Sequence, residues 1–231
     1  MNHPLDKPIW SALTSRQARF ALGGALAKRF PADVSPFAGA QDASPDAVGE
    51  LAALVPDQDD ISLLECAPPA APAGILVTLR PGVQMVAKSL GATATREQPI
   101  VPLSDVDAAE MLALATLTRP GPFRQRTHAM GRFIGIRAGT RLVAMCGERL
   151  ATDEFIEVTA LCTHPDYRRR GYAEALLLAA SQRILDEGAI PFLHTYADNS
   201  NAIALYTRLG FELRTSVVHA VWQRERPIAA A

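Results

Sequence analysis

The sequence predicts a protein of the α/β class in its α+β form: a mixed, twisted sheet with flanking helices, preceded by a small N-terminal α+β lobe. Three observations carry that prediction. Three apolar stretches rich in β-branched residues, separated by short turns, run from Phe133 to Thr163, the pattern of an antiparallel meander. From Gly171 onward helical and strand patterns alternate, which implies a parallel strand pair joined by a crossover helix. The small, polar stretch 88–97 separates these patterns from an earlier set and divides the chain into 1–95 and 96–231.

In chain order, Leu13 to Phe30 carries Ala18, Ala21, Leu22, Ala25 and Leu26 at helical spacing, although Gly23 and Gly24 weaken a helix there. Ser44-Pro45-Asp46 opens a second helix with a cap residue and a proline in the first turn, and Pro56 closes it. Ile61–Glu65, Gly74–Arg80 and Val83–Ala87 read as three short strands, the last two divided by a Pro81-Gly82 turn. This first unit holds no cluster of ionisable groups and reads as a packing or substrate-shaping lobe. Beyond the division, Ile100–Leu103 is a short strand, and Ser104-Asp105-Val106-Asp107 starts a capped helix that runs to Thr118 and breaks at Arg119-Pro120-Gly121-Pro122. Phe133–Arg137, Arg141–Arg149 and Phe155–Thr163 are the meander strands. Then come a helix from Gly171 to Glu187, a strand Ile190–Tyr196, a helix Ser200–Leu209, a strand from Phe211 and a last strand near Val217–Gln223.

The 231 residues are 48% apolar and 20% charged, the composition of an ordinary globular protein. With 23 basic and 24 acidic residues the net charge is −1, so nothing in the balance gathers phosphate backbones, and nucleic acid is not an expected partner. Prolines and an acid interrupt the first eight residues, and runs such as Ala175–Ala180 are too short to cross a bilayer, so a cytoplasmic protein without membrane association is expected. Cys66, Cys146 and Cys162 show neither CxxC pairing nor zinc-ligand spacing, and no metal is expected.

Between the strand ending at Thr163 and the helix beginning at Gly171 lies His164-Pro165-Asp166-Tyr167-Arg168-Arg169-Arg170-Gly171-Tyr172-Ala173. Strand-loop-helix junctions of this kind bind phosphates, because free backbone NH groups and the positive end of the helix dipole face the loop. Gly171 permits close approach of backbone to ligand, Ala173 keeps the next turn narrow, and the three arginines add charge. The run resembles the (R/Q)xxGx(G/A) signature of the GNAT superfamily of N-acetyltransferases, and Asn199 through Phe211 is similar to that family's NxxAxxLYxxxGF segment. The resemblance covers about the last 130 residues, and the overall layout also resembles glycine-conjugating acyltransferases, which carry an N-terminal lobe before such a domain.

The resemblance implies a GNAT-type sheet whose strand 155–163 splays from strand 190–196 and seats acetyl-CoA. Leu161, Cys162 and Thr163 would meet its pantetheine arm much as a peptide adds to a sheet edge. The backbone NH of Leu161, or failing that of Cys162, would stabilise the oxyanion, a contribution of about 3 kcal/mol. Arg168, Arg169, Arg170, Gly171, Tyr172, Ala173 and Glu174 would wrap the pyrophosphate, and Asn199 would cap the following helix and reach the cofactor. A typical amine is protonated at neutral pH, so a base is required. Glu157, eleven positions before Arg168, is the candidate base, and Tyr206 the candidate proton donor to the leaving thiolate. His194 reads as a core or rim residue, and His128 and His164 as loop residues.

The expected function is acetyl transfer from acetyl-CoA to a primary amine of a small molecule or peptide, by direct attack in a ternary complex. Two alternatives stand beside it: transfer of a longer acyl group to an amino acid such as glycine, and a non-catalytic acyl-CoA-binding sensor or scaffold. The acceptor would meet the variable region Thr118 to Met130, and a homodimer is compatible with the sequence.

Overall fold

The computed structural model describes residues 3–91 and 98–225; most of the polar stretch taken as the division, 92–97, lies outside the described residues. The chain forms α1 (Pro8–Leu13), β1 (Leu22–Gly23), β2 (Ala27–Arg29), β3 (Ala38–Ala40), α2 (Pro45–Ala53), β4 (Asp60–Glu65) and β5 (Ile75–Val86). It continues through β6 (Ile100–Leu103), α3 (Ala108–Thr118), β7 (Phe133–Ala138), β8 (Arg141–Ala151), β9 (Phe155–Thr163), α4 (Tyr172–Asp186), β10 (Ile190–Tyr196), α5 (Ser200–Arg208) and β11 (Glu212–Arg224). Strands β1 to β3 form a small antiparallel sheet, and the other eight form one large sheet in the order β4-β11-β5-β10-β9-β8-β7-β6. All neighbours in the large sheet are antiparallel except β9 and β10. It is the mixed sheet that the sequence predicts.

The large sheet runs through the expected division, because β4 and β5 pair with β11, and β5 also pairs with β10. Three local expectations are corrected. The helix expected over Leu13–Phe30 is confined to α1, followed by a turn at Ala18–Phe20 and the β1–β2 hairpin. Gly23 has φ 125°, and a Cβ there would stand 2.5 Å from the Ala27 carbonyl oxygen, so the backbones approach too closely for a helix to persist. Glu50 on α2 accepts the NH groups of Leu26 and Ala27 and holds the hairpin from outside. Pro81-Gly82 makes no turn; β5 passes straight through it. The β10 ladder ends at Gly82, so the missing NH of Pro81 falls at the end of that ladder, where its carbonyl still accepts the NH of Ala197 at 3.1 Å. Finally, the two C-terminal strands are one. A bulge between Leu213 and Thr215 keeps β11 continuous and turns Arg214 toward Asp6, 2.6 Å away.

The main core lies between α4 and the sheet. Leu176, Leu177, Ala180 and Ile184 of α4 are buried against Val143, Ile156, Val158 and Leu193. Each large aliphatic side chain so buried contributes about 1.5–3 kcal/mol, which fixes the start of α4 against the C-terminal end of β9. A second cluster joins Leu5, Ile9, Phe30 and Phe37 to Leu64, Phe155 and Phe192, packing the N-terminal segment onto the same sheet.

Candidate active site

Strands β9 and β10 are paired over only three residues, Phe155 to Glu157 against Ile190 to Phe192. Beyond Glu157 the two strands part, leaving one edge of each unpaired along a cleft. On its other side β9 is irregular as well. Thr159 faces Gly147 and Cys162 faces Met145, so three steps on β9 match two on β8, with Ala160 at φ 52°. Ala160 and Leu161 thus have no register partner on β8, and this bulge interrupts β9 beside the cleft.

A cavity of about 710 Å³ opens from the parting of the strands. Leu161 to Thr163 and Arg168 to Glu174 line it, together with Asn199 and Tyr206. After a short turn at Pro165–Tyr167, Arg169 and Gly171 both adopt positive φ, 61° and 80°, bending the loop tightly before α4 begins. No atom stands within 4 Å of a Cβ built on Gly171, so the glycine serves the backbone angle and open approach rather than packing. The Arg170 guanidinium lies 4.9 Å from the Tyr167 ring centroid, and Arg208 pairs with Glu174 at 2.8 Å. Among the described residues this is the basic end of the cavity, with four arginines from 168 to 208 on its wall. Asn199 caps α5, its Oδ1 accepting the NH of Ala202 at 3.3 Å.

The titratable groups differ in what they can do. Burial pushes the Tyr206 hydroxyl up to about 12, so it stays protonated through the neutral range and is suited to donating. Burial also pushes the Cys162 thiol up to about 11, which leaves it a thiol and a poor nucleophile. Glu157 is fully buried and does not line the cavity. Burial alone would raise its pKa, but the Arg149 guanidinium and His194 outweigh it and hold the carboxyl well below the usual range. Arg149 donates to it twice, at 2.8 and 2.6 Å, and His194 Nδ1 lies 2.7 Å from Oε1. A carboxylate so committed is a weak proton acceptor and a strong orienting group.

The pairing of Glu157 with Arg149 and His194 has no signature in the sequence. Arg149, His194 and His219 all line the cavity, with Phe37, Leu64 and Gly82 from the N-terminal part beside them. Burial, then Arg149 and Arg80, lower His219 to about 4, so its ring is neutral at pH 7. His128 and His164 do not line the cavity; they pair with Asp105 and Arg141 instead. Of the region 118–130, Thr118 to Pro122 reach the wall.

Comparison with known proteins fits this geometry. Residues 133–222 match the family described as FR47-like protein. The fold is that of a putative acetyltransferase from the GNAT family of Novosphingobium aromaticivorans DSM 12444, with a TM-score of 0.89 and 37% identity over 97% of this chain and 100% of that one. The chain belongs to the GNAT family of acetyltransferases. A GCN5-related N-acetyltransferase from Kribbella flavida shares the fold at a TM-score of 0.64 and 18% identity, covering 96% of each chain. A mycothiol acetyltransferase of Corynebacterium aurimucosum is 39% identical over 74 residues, 32% of this chain and 24% of its own length. This GNAT chain therefore matches about a quarter of that curated relative.

Proposed function

We propose that the protein transfers an acetyl group from acetyl-CoA to a primary amine by direct attack within a ternary complex. The observation that carries the reading is the parting of β9 from β10 after Glu157, with the arginine-bearing loop and the start of α4 at its open end. The cavity suits the cosubstrate in size and charge: an opening of about 710 Å³ lined by a basic, tightly bent loop and by the unpaired strand edges. When bound, acetyl-CoA supplies the activated thioester, and no covalent acetyl-enzyme is needed.

The roles of the chain's own residues follow from their chemistry. Main-chain NH groups between Arg168 and Glu174, aided by the α4 dipole, receive the pyrophosphate, and the NH of Leu161 faces the carbonyl oxygen where negative charge develops. Tyr206 hydrogen-bonds the sulfur and passes it a proton as it leaves. Glu157 orients Arg149 and His194, and the amine loses its proton to solvent or to a water held at that end. The segment 1–95 shapes the acceptor end through Phe37, Leu64 and Gly82, and residues 96–231 supply the transfer groups.

Free-thiol release from acetyl-CoA, measured across a panel of amines, amino acids and peptides, tests the proposal. Amine-dependent release is expected. Binding of acetyl-CoA with no release for any amine would favour a sensor instead, and release only with longer acyl chains would move the reading to a different acyl donor.

A further inference from the structure

We propose that Arg149 is the acceptor-recognition group of this site, and that the acceptor carries a carboxylate beside its amine. The inference deepens the acetyl-transfer reading and rests on it for where the amine lies.

Arg149 is 8% exposed at its side chain, with its guanidinium carbon 4.5 Å from the Phe37 ring centroid. Its Nε and Nη2 are committed to Glu157. Among the described residues the third nitrogen, Nη1, has no hydrogen-bond partner, and Arg149 lines the cavity. A planar guanidinium fixed along one edge and over one face can present its remaining N–H groups in one direction only, which suits a carboxylate oxygen.

A chain of buried contacts holds that edge in place. Gln84 is fully buried; its Nε2 lies 2.9 Å from the Leu5 carbonyl and 2.9 Å from His194 Nε2, while its Oε1 accepts from Arg214 Nε. Because Arg214 only donates, the amide orientation is forced, and His194 Nε2 must accept the Gln84 NH. His194 therefore carries its proton on Nδ1 and donates it to Glu157. Glu157 then receives Arg149 twice, His194 once and the NH of Leu150 at 3.4 Å. Four donors fill the roughly four lone-pair sites of a carboxylate, so Glu157 keeps none for an incoming ammonium.

The charges facing this end point the same way. Among the described residues, the one acidic residue on the cavity wall is Glu174, which is paired with Arg208 at the loop end. Asp198, next in sequence to the wall residue Asn199, is exposed and faces Arg80 at 4.0 Å. His219 on β11 has Arg80 opposite it on β5, Leu64 opposite it on β4 and the Tyr196 hydroxyl of β10 at 3.3 Å from Nδ1, with the Arg149 guanidinium contributing charge from β8 and the neutral His194 ring beside it on β10. Burial first, and then the charges of Arg149 and Arg80, keep the ring unprotonated, and those two cations make the place hostile to a further one. A polyamine would bring cations with no counter-charge to meet them; an amine with one carboxylate matches Arg149 and gives up its single ammonium proton before attack.

The test uses the wild-type protein saturated with CoA and measures binding of N-acetylglycine, N-acetylglutamate and N-acetylphenylalanine by calorimetry, each against its carboxamide. Thiol release is measured in parallel with the matching free amines and with spermidine. At least one acid should bind about tenfold or more tightly than its amide, the scale of a desolvated charge pair. Arg149→Lys, checked for folding by its melting curve, should shrink that preference to roughly threefold or less while leaving acetyl-CoA affinity within about twofold. Equal binding of acid and amide throughout, no binding of any acid, or preference for spermidine overturns the proposal. Selective acid binding without thiol release from any amine leaves the subsite standing and removes the acetyl-transfer reading; release without acid preference does the reverse.

Discussion

At the loop end of the cleft one run of chain, Leu161 to Glu174, lines much of the wall beside Asn199, Tyr206 and Arg208, its backbone is at positive φ at Arg169 and Gly171, and the contacts proposed for it are mainly main-chain NH groups. At the opposite end the groups come from segments as distant as Phe37, Gly82, Arg149, His194 and His219, and what they offer is side-chain chemistry wired through buried hydrogen bonds. The difference lies in how each end responds to change. Backbone recognition survives substitution of its side chains, because NH groups remain whichever residue carries them. Side-chain recognition fails at single positions, because each buried partner leaves the next one unsatisfied.

Substitutions should separate the two ends, and the largest effect belongs to the side-chain end. Glu157→Gln leaves the buried Arg149 guanidinium without its counter-charge and should cost about 3 kcal/mol of stability in denaturant unfolding, the usual penalty for breaking a buried pair from one side. If Glu157 orients rather than abstracts, the variant's residual activity keeps the wild-type pH profile. A shifted profile would restore the carboxylate as the base.

Next in size are a buried group and a half-buried one, Glu65 and His219, with opposite pH signatures. Burial, against the pull of Lys7 at 3.7 Å, pushes Glu65 from 4.5 up to about 7, while His219 falls from 6.5 to about 4. Below 6.5 the unfolded chain takes up a proton that folded His219 refuses, so its contribution is full above 6.5 and is lost as pH falls toward 4. Glu65 runs the other way: folded Glu65 takes up its proton below about 7, so its contribution grows as pH falls from 7 toward 4.5. The two should nearly cancel between 4.5 and 6.5. His219→Gln should therefore become more stable on acidification across that window and Glu65→Gln less stable, with slopes of opposite sign in urea titrations; slopes of the same sign would break the pairing.

Tyr206→Phe comes third. Loss of the proton donor should lower kcat by about 10²-fold, the low end for such a group, with acetyl-CoA affinity unchanged. Since burial raises the phenol to about 12, the wild-type profile should show no alkaline fall from this residue below about pH 11. A loss of acetyl-CoA affinity instead would make Tyr206 a packing residue.

The smallest effects belong to the loop. Gly171→Ala places a Cβ in open space at φ 80° and should cost about 1 kcal/mol, the strain of a left-handed residue. Arg168→Ala, Arg169→Ala and Arg170→Ala, taken singly, should each weaken acetyl-CoA by only a few-fold in titrations. A hundredfold loss from any one of them would show that side chains, not backbone, hold that end.

The same contrast explains what could be read from the chain alone. The loop and α4 are contiguous, and a glycine, a small residue and three arginines at fixed offsets leave a local trace. The meander, α4, β10 and α5 are likewise local patterns, and they appear within a few residues of where the sequence puts them. Continuity across Pro81-Gly82 left no such trace, because it depends on β10 arriving only at Gly82. The partners of Glu157 were hidden for the same reason: Arg149 is eight residues away on the neighbouring strand, His194 thirty-seven away, and both meet it only once β8, β9 and β10 are aligned. His194 on an apolar strand does read as a core or rim residue. Its register opposite Gln84 on β5, which turns burial into a wired position, has no sequence signature.

The most direct test of the division between the two ends is the crystallographic position of acetyl-CoA bound to the protein. The pyrophosphate is expected within hydrogen-bond reach of main-chain NH groups between Arg168 and Glu174, with the thioester between the parted edges of β9 and β10 and its acetyl group directed toward Arg149 and His194. A cosubstrate held mainly by arginine side chains, or a thioester lying outside the opening between β9 and β10, would contradict it.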